Sequence, residues 1–181
     1  WYDPAIDTIN FCLSGSGYPN TAWTSVVHHE YGHHLVSAGG SGQGQYGEGT
    51  GDVMSVIIND DSELGIGFFG SCGGSLRSAV NTLSYPCATD GHACAPLYSG
   101  CVWETRQLLV VTEPSSYQDL LMSWAVNSIL VHSGTLITPQ MTIDYLTLDD
   151  NDSDIGNGTP HYVEIDGGFG AKGMPAPPLT L

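Results

Sequence analysis

Residues 28–34 read His28-His29-Glu30-Tyr31-Gly32-His33-His34, and the segment 29–33 decides how the chain is read. On a helix, positions i and i+4 share a face. His29 and His33 would lie one turn apart, with both imidazoles turned to one metal ion. Glu30 follows His29 and would lean over the open side of that ion. Hydrolysis with zinc needs this kit: two neutral nitrogen ligands, a third ligand, an open position for water, and a carboxylate to take the water's proton. Five residues match such a pattern by chance often enough that the rest of the chain must supply the missing parts.

Glu48 is the expected third ligand. It follows the glycine-rich stretch 39–47, which lets a second helix fold back on the first. Asp52 stands at i+4 from Glu48, on the same helical face. A metal-bound histidine usually donates its second ring N–H to a carboxylate, a carbonyl or water, and Asp52 fits that role towards His29. His28 and His34 point to other faces and read as surface or packing residues. His132 and His161 have no partner pattern and read as structural.

With these residues in place the segment resembles the gluzincin metallopeptidases of the thermolysin-like clan, the fungalysin family most. The matching residues are His29-Glu30-Tyr31-Gly32-His33 and Gly47-Glu48-Gly49-Thr50-Gly51-Asp52. The clear match covers about residues 21–58. Gly100-Cys101-Val102-Trp103 is similar to a helix start in that family, and Leu76-Arg77 with Tyr85-Pro86 is similar to its arginine-bearing segment. The resemblance implies that Glu48 ligates zinc and that Asp52 orients a ligand. It also implies a cleft-edge strand near the N-terminus that pairs with extended peptide, and a mostly helical lower lobe. The clan stabilises the oxyanion with a downstream histidine, which fungalysins carry just ahead of the Gly-x-x-Trp segment. Here residues 95–99 hold none. His92 lies slightly earlier and Tyr98 is closer, so either is a candidate donor. Arg77 is the candidate for holding a substrate carbonyl. Zinc would polarise water and carbonyl, and Glu30 would carry the proton from the water to the leaving amine.

Bulk properties narrow the class. The 181 residues suggest a single domain, with a zinc-binding part over about 1–60 and a cysteine-bearing loop region plus helical lobe over about 61–181. The chain opens abruptly at Trp1 with no signal-peptide pattern, as a mature or excised catalytic segment would. Nineteen acids against three bases (Arg77, Arg106 and Lys172) argue against nucleic acid and anionic membranes as partners. No apolar run is long enough to cross a bilayer. An acidic surface and five cysteines fit a secreted, monomeric protein with disulfides. Local pairing would join Cys72 to Cys87 and Cys94 to Cys101, leaving Cys12 odd.

The expected fold is α+β and helix-dominated: a zincin-like domain with a short edge strand, an active-site helix, a glutamate helix and a helical C-terminal lobe. Alternation at Ile9, Phe11 and Leu13 predicts a strand over 7–13. Helices are predicted at about 22–37, capped by Thr21 or Asn20, and at about 48–58. Further helices are predicted at about 100–111, from 115 or 116 to 131, at 139–148 and at 160–169. Residues 63–98 show no long periodic segment and would line a substrate cleft.

Residues 149–154 hold an acidic cluster that could bind calcium. Asp150, Asp152 and Asp154 alternate like the start of a calcium loop, but the glycine comes late, at Gly156, and the twelfth position is His161. It is not an EF-hand. An irregular calcium site and a solvated acidic loop remain the alternatives, and Asp60, Asp61 and Glu63 pose the same choice. The leading expectation is a zinc endopeptidase acting on peptide or protein substrates. The rivals are a zinc aminopeptidase, with Glu63 or Asp60 receiving a free amine, and a peptide-binding module with weak turnover.

Overall fold

The computed structural model describes residues 1–15, 19–69, 74–87 and 89–180. Two long helices come first, α1 over Thr24–Gly39 and α2 over Gly44–Asn59. Then follow α3 (Gly91–Thr112), α4 (Tyr117–Val131), α5 (Gln140–Asp149) and α6 (Tyr162–Gly170), with a 3-10 turn at Ile155–Asn157. Strands among the described residues are short: β1 (Tyr2–Asp3) pairs antiparallel with β2 (Thr8–Ile9), and β3 (Glu63–Leu64) with β4 (Arg77–Ser78). The fold is thus helix-dominated with small β additions. No helix of the described residues is long and apolar enough to cross a membrane.

Helix α2 runs through the middle. Tyr46, Val53, Met54 and Ile57 are buried along it, against Leu97, Tyr98 and Val102 of α3. Trp124 of α4, Tyr145 of α5 and Phe169 of α6 complete the same cluster. Full burial of each such side chain is worth roughly 1.5–3 kcal/mol, so this cluster fixes where α2 lies, and α2 fixes Glu48.

Glycines set how closely α1 and α2 meet. A Cβ on Gly32 would come 2.6 Å from Gly51 Cα, and one on Gly51 would come 2.5 Å from His29 Nδ1. Mid-helix glycine costs about 0.5–1 kcal/mol relative to alanine. Here it permits contact of backbone on backbone and of backbone on imidazole.

Several expected boundaries move. The strand expected over 7–13 is only Thr8–Ile9, because the chain reverses through Asp7 (φ 53°) to pair with Tyr2–Asp3. Trp23 is the N-cap of α1 and makes no side-chain cap bond. The expected caps are engaged elsewhere: Thr21 Oγ1 accepts from the Cys12 N–H, and Asn20 Oδ1 from the Ala22 N–H. Helix α2 begins at Gly44, inside the glycine-rich stretch, where the Tyr46 N–H donates to the Thr135 carbonyl. Helix α3 begins at Gly91, well before residue 100, because Asp90 caps the Ala93 N–H at 2.8 Å.

The local disulfide pairing does not occur. Cys87 bonds to Cys94, joining the loop to the first turn of α3, and Cys101 is a free, fully buried thiol. Burial pushes that thiol's pKa up, so it packs as a small apolar group. Cys72, the other half of an expected pair, lies outside the described residues.

Candidate metal centre

Helix α1 supplies His29 and His33, one turn apart, with ring centroids 4.9 Å apart and planes at 86°. Helix α2 brings Glu48 against both. His29 Nε2 lies 3.4 Å from Glu48 Oε2, and His33 Nε2 lies 3.5 Å from Glu48 Oε1. One ligand atom from each of the three residues lies within 4.8 Å of the others. Among the described residues, this is the set of histidine, cysteine or acid side chains that converges in this way. Donors held at about 2.0–2.1 Å by a tetrahedral ion lie about 3.4 Å apart, so the His–Glu separations suit such an ion. Glu48 Oε2 is buried and has no hydrogen-bond partner.

Asp52, one turn beyond Glu48, places Oδ1 2.9 Å from His29 Nδ1, which leaves Nε2 to face Glu48. Burial opposes a positive charge on His29. The hydrogen bond to Asp52, and next the Glu48 carboxylate nearby, outweigh it, so the pKa is pushed up to about 9. Burial likewise opposes ionisation of Glu48, but the imidazoles of His29 and His33 beside it hold its carboxyl far below the usual range. Such a pair of carboxylates around two imidazoles favours a cation between them.

Arg77, on β4, lies beside His29 and Glu48. Its Nη2 is 2.8 Å from Asp52 Oδ1 and its Nη1 is 3.7 Å from Glu48 Oε2. The guanidinium balances the carboxylates and also lines a cavity of about 480 Å³. His29, Glu30 and His92 line that cavity too, with Phe11, Val26, Leu64, Phe68 and Leu76 forming an apolar wall. A second cavity of about 310 Å³ is lined by His33, Gln43 and Glu48, again with Glu30 and His92. Glu30 therefore borders both cavities, and its Oε2 accepts from the Tyr2 N–H of β1 at 2.8 Å.

The two candidates for the oxyanion separate cleanly. His92 sits in the first turn of α3 with its side chain 73% exposed and Nε2 3.3 Å from Glu48 Oε1. Tyr98 is in the core: its hydroxyl donates to Tyr145 Oη at 3.1 Å, and it borders neither cavity. Both residues belong to one helix, and six positions at about 100° each turn them to different faces. Burial raises the Tyr98 pKa well above its ordinary value.

The acidic segment after α5 is organised differently. Asp152 Oδ1 accepts from the Asp154 N–H and its Oδ2 from Asn157 Nδ2, while Asp154 Oδ1 accepts from the Gly156 N–H. Asp150 Oδ1 has no partner, but the three aspartates form no convergent set. His161 Nδ1 lies 2.6 Å from Asp149 Oδ1, and His132 Nδ1 lies 2.9 Å from Asp144 Oδ2, so both have acidic partners that sequence spacing did not reveal. Asp60 is tied to Arg106 and Tyr117, and Glu63 to Ser75 and Ser78. Neither acid borders the two cavities, so neither is placed to receive a free amine there.

Gln43 is the contact that sequence reasoning missed. Its side chain meets His33 from the glycine-rich stretch that precedes Glu48. No known family profile matches the chain, and neither a curated protein nor a solved structure matches it.

Proposed function

We propose that this chain is the catalytic domain of a secreted zinc endopeptidase with a zincin-like fold, related to the gluzincins and, among them, most like the fungalysins. The observation that carries the reading is the convergence of His29, His33 and Glu48 next to Glu30 at a cavity. Two imidazoles and one carboxylate are a donor set that suits zinc with a position left for water. The Cys87–Cys94 disulfide agrees with an oxidising compartment.

A zinc ion held there would lower the pKa of a water and polarise a peptide carbonyl. Glu30 accepts the proton of the attacking water and delivers it to the leaving amine. For this the carboxylate exchanges its hydrogen bond with the Tyr2 N–H for one with the water. His92, exposed at the mouth, swings from Glu48 to donate its ring N–H to the oxyanion. Arg77 holds the charge of Asp52 and Glu48 in balance and borders the substrate cavity. Extended peptide would lie along Phe11 and Cys12, with an apolar side chain against Phe68 and Leu76.

Cleavage of an internally quenched, N-terminally blocked peptide tests the reading. Activity is expected to vanish on chelation and to return with zinc. Cleavage that survives complete metal removal contradicts the proposal, and intact blocked peptides beside cleaved free ones favour an aminopeptidase.

A further inference from the structure

Gln43 makes two contacts with one residue. Its Nε2 donates to the His33 carbonyl at 3.0 Å, and its Oε1 lies 2.9 Å from His33 Nδ1. The backbone decides which way round the amide lies. A carbonyl only accepts, so the amide nitrogen must face it. Oε1 then faces Nδ1, and Nδ1 must carry the ring proton. The other nitrogen, Nε2, is then the one that faces Glu48 Oε1, at 3.5 Å. His33 thus sets its own tautomer through its carbonyl, with Gln43 as the relay.

Space for this relay comes from Gly47, the neighbour of Glu48. A Cβ there would come 2.2 Å from Gln43 Oε1. The two histidines are also held by different chemistry. His29 has the carboxylate of Asp52, whereas His33 has a neutral amide, which fixes the ring without adding negative charge.

We propose that Gln43 is a positioning residue for His33, locking it as the Nδ1–H tautomer so that Nε2 is available to a metal ion, in the space that Gly47 provides. This rests on the metal-centre reading above. Orienting partners of this kind typically change metal affinity by roughly 10- to 100-fold.

The test measures two quantities in the full chain: zinc affinity by competition with a chromophoric chelator, and the His33 tautomer by imidazole ¹⁵N shifts without metal. Wild type is expected to show the Nδ1–H form. Gln43→Met is expected to mix the tautomers and weaken zinc by roughly 10- to 100-fold, with Gly47→Ala moving both readouts the same way. An Nε2–H tautomer in wild type overturns the proposal, even if Gln43→Met fails to fold. Unchanged tautomer and affinity in Gln43→Met, with His33→Ala weakened, overturns it while sparing the metal centre. Undiminished zinc binding in His33→Ala overturns the metal-centre reading itself, and with it the role given to Gln43, while the tautomer result still reports the contact.

Discussion

Between α1 and α2, His29, His33 and Glu48 turn their polar atoms towards one another across a gap. Between α5 and α6, Asp149, Asp152, Asp154 and His161 turn theirs onto neighbouring backbone and side chains. Both segments carry the residue types that bind metals. The difference lies in spacing and support. On helices the side chains cannot easily reach their own N–H groups, so the donors stay available for something between them. In a turn, an aspartate closes on the N–H two residues ahead. Composition alone therefore separates the two poorly, whereas backbone geometry separates them well.

Removing a converging ligand should break this contrast most strongly. His33→Ala is expected to weaken zinc by about 100- to 1,000-fold, an even share of the roughly 10–16 kcal/mol held by four-ligand zinc sites. Replacing Asp150, Asp152 and Asp154 together by Asn should leave zinc affinity unchanged, as read by the same chelator competition. An equal effect in both variants would erase the distinction.

Gly51→Ala addresses the support. At an open helical position this change gains about 1 kcal/mol. Against the His29 ring, where the new Cβ would come within 2.5 Å, overpacking should reverse the sign and cost about 1–3 kcal/mol. Chemical denaturation reads that sign, and a stabilised variant would show that α1 and α2 are not in close contact at His29.

Tyr98→Phe probes an engaged hydroxyl. It should lower stability by about 1 kcal/mol through loss of the bond to Tyr145 and leave peptide cleavage unchanged. A large loss of activity at normal stability would return Tyr98 to the mechanism.

The smallest effect concerns Asp60. The hydrogen bond from Arg106 holds its pKa below the ordinary value. A group depressed on folding adds stability above its unfolded pKa, about 3.9, and loses it as pH falls through the folded value. Wild type should exceed Asp60→Asn by less than about 1 kcal/mol at neutral pH, since this pair is partly exposed and screened, and the gap should close as pH falls below the unfolded value and through the lower folded one. Urea midpoints across that range check it; a gap that widens on acidification contradicts the assignment.

Much of the candidate metal centre was legible in the sequence because it follows helical spacing. His29, His33, Glu48 and Asp52 each depend on an i, i+4 relation within a helix, and Asp52 stands against His29 as that relation predicts. Gln43 was not legible, because a glycine-rich stretch reads as a connection until packing on α1 makes it helical from Gly44. An expected start of α3 near residue 100 leaves both His92, the favoured oxyanion donor, and Tyr98 outside the helix, where helical faces do not distinguish them. An aspartate cap and a disulfide extend that helix back to Gly91. The short strands escaped for the opposite reason: alternation suggested a longer one, and a left-handed Asp7 turned it into a hairpin.

In the proposed mechanism Glu30 acts as the base beside a metal held by His29, His33 and Glu48. The most direct test of that role is the cleavage rate of Glu30→Gln on a quenched peptide, with bound zinc quantified in the same sample. Zinc content equal to wild type is expected, with a rate lower by about 100- to 10,000-fold. A rate near wild type at full zinc occupancy would contradict it.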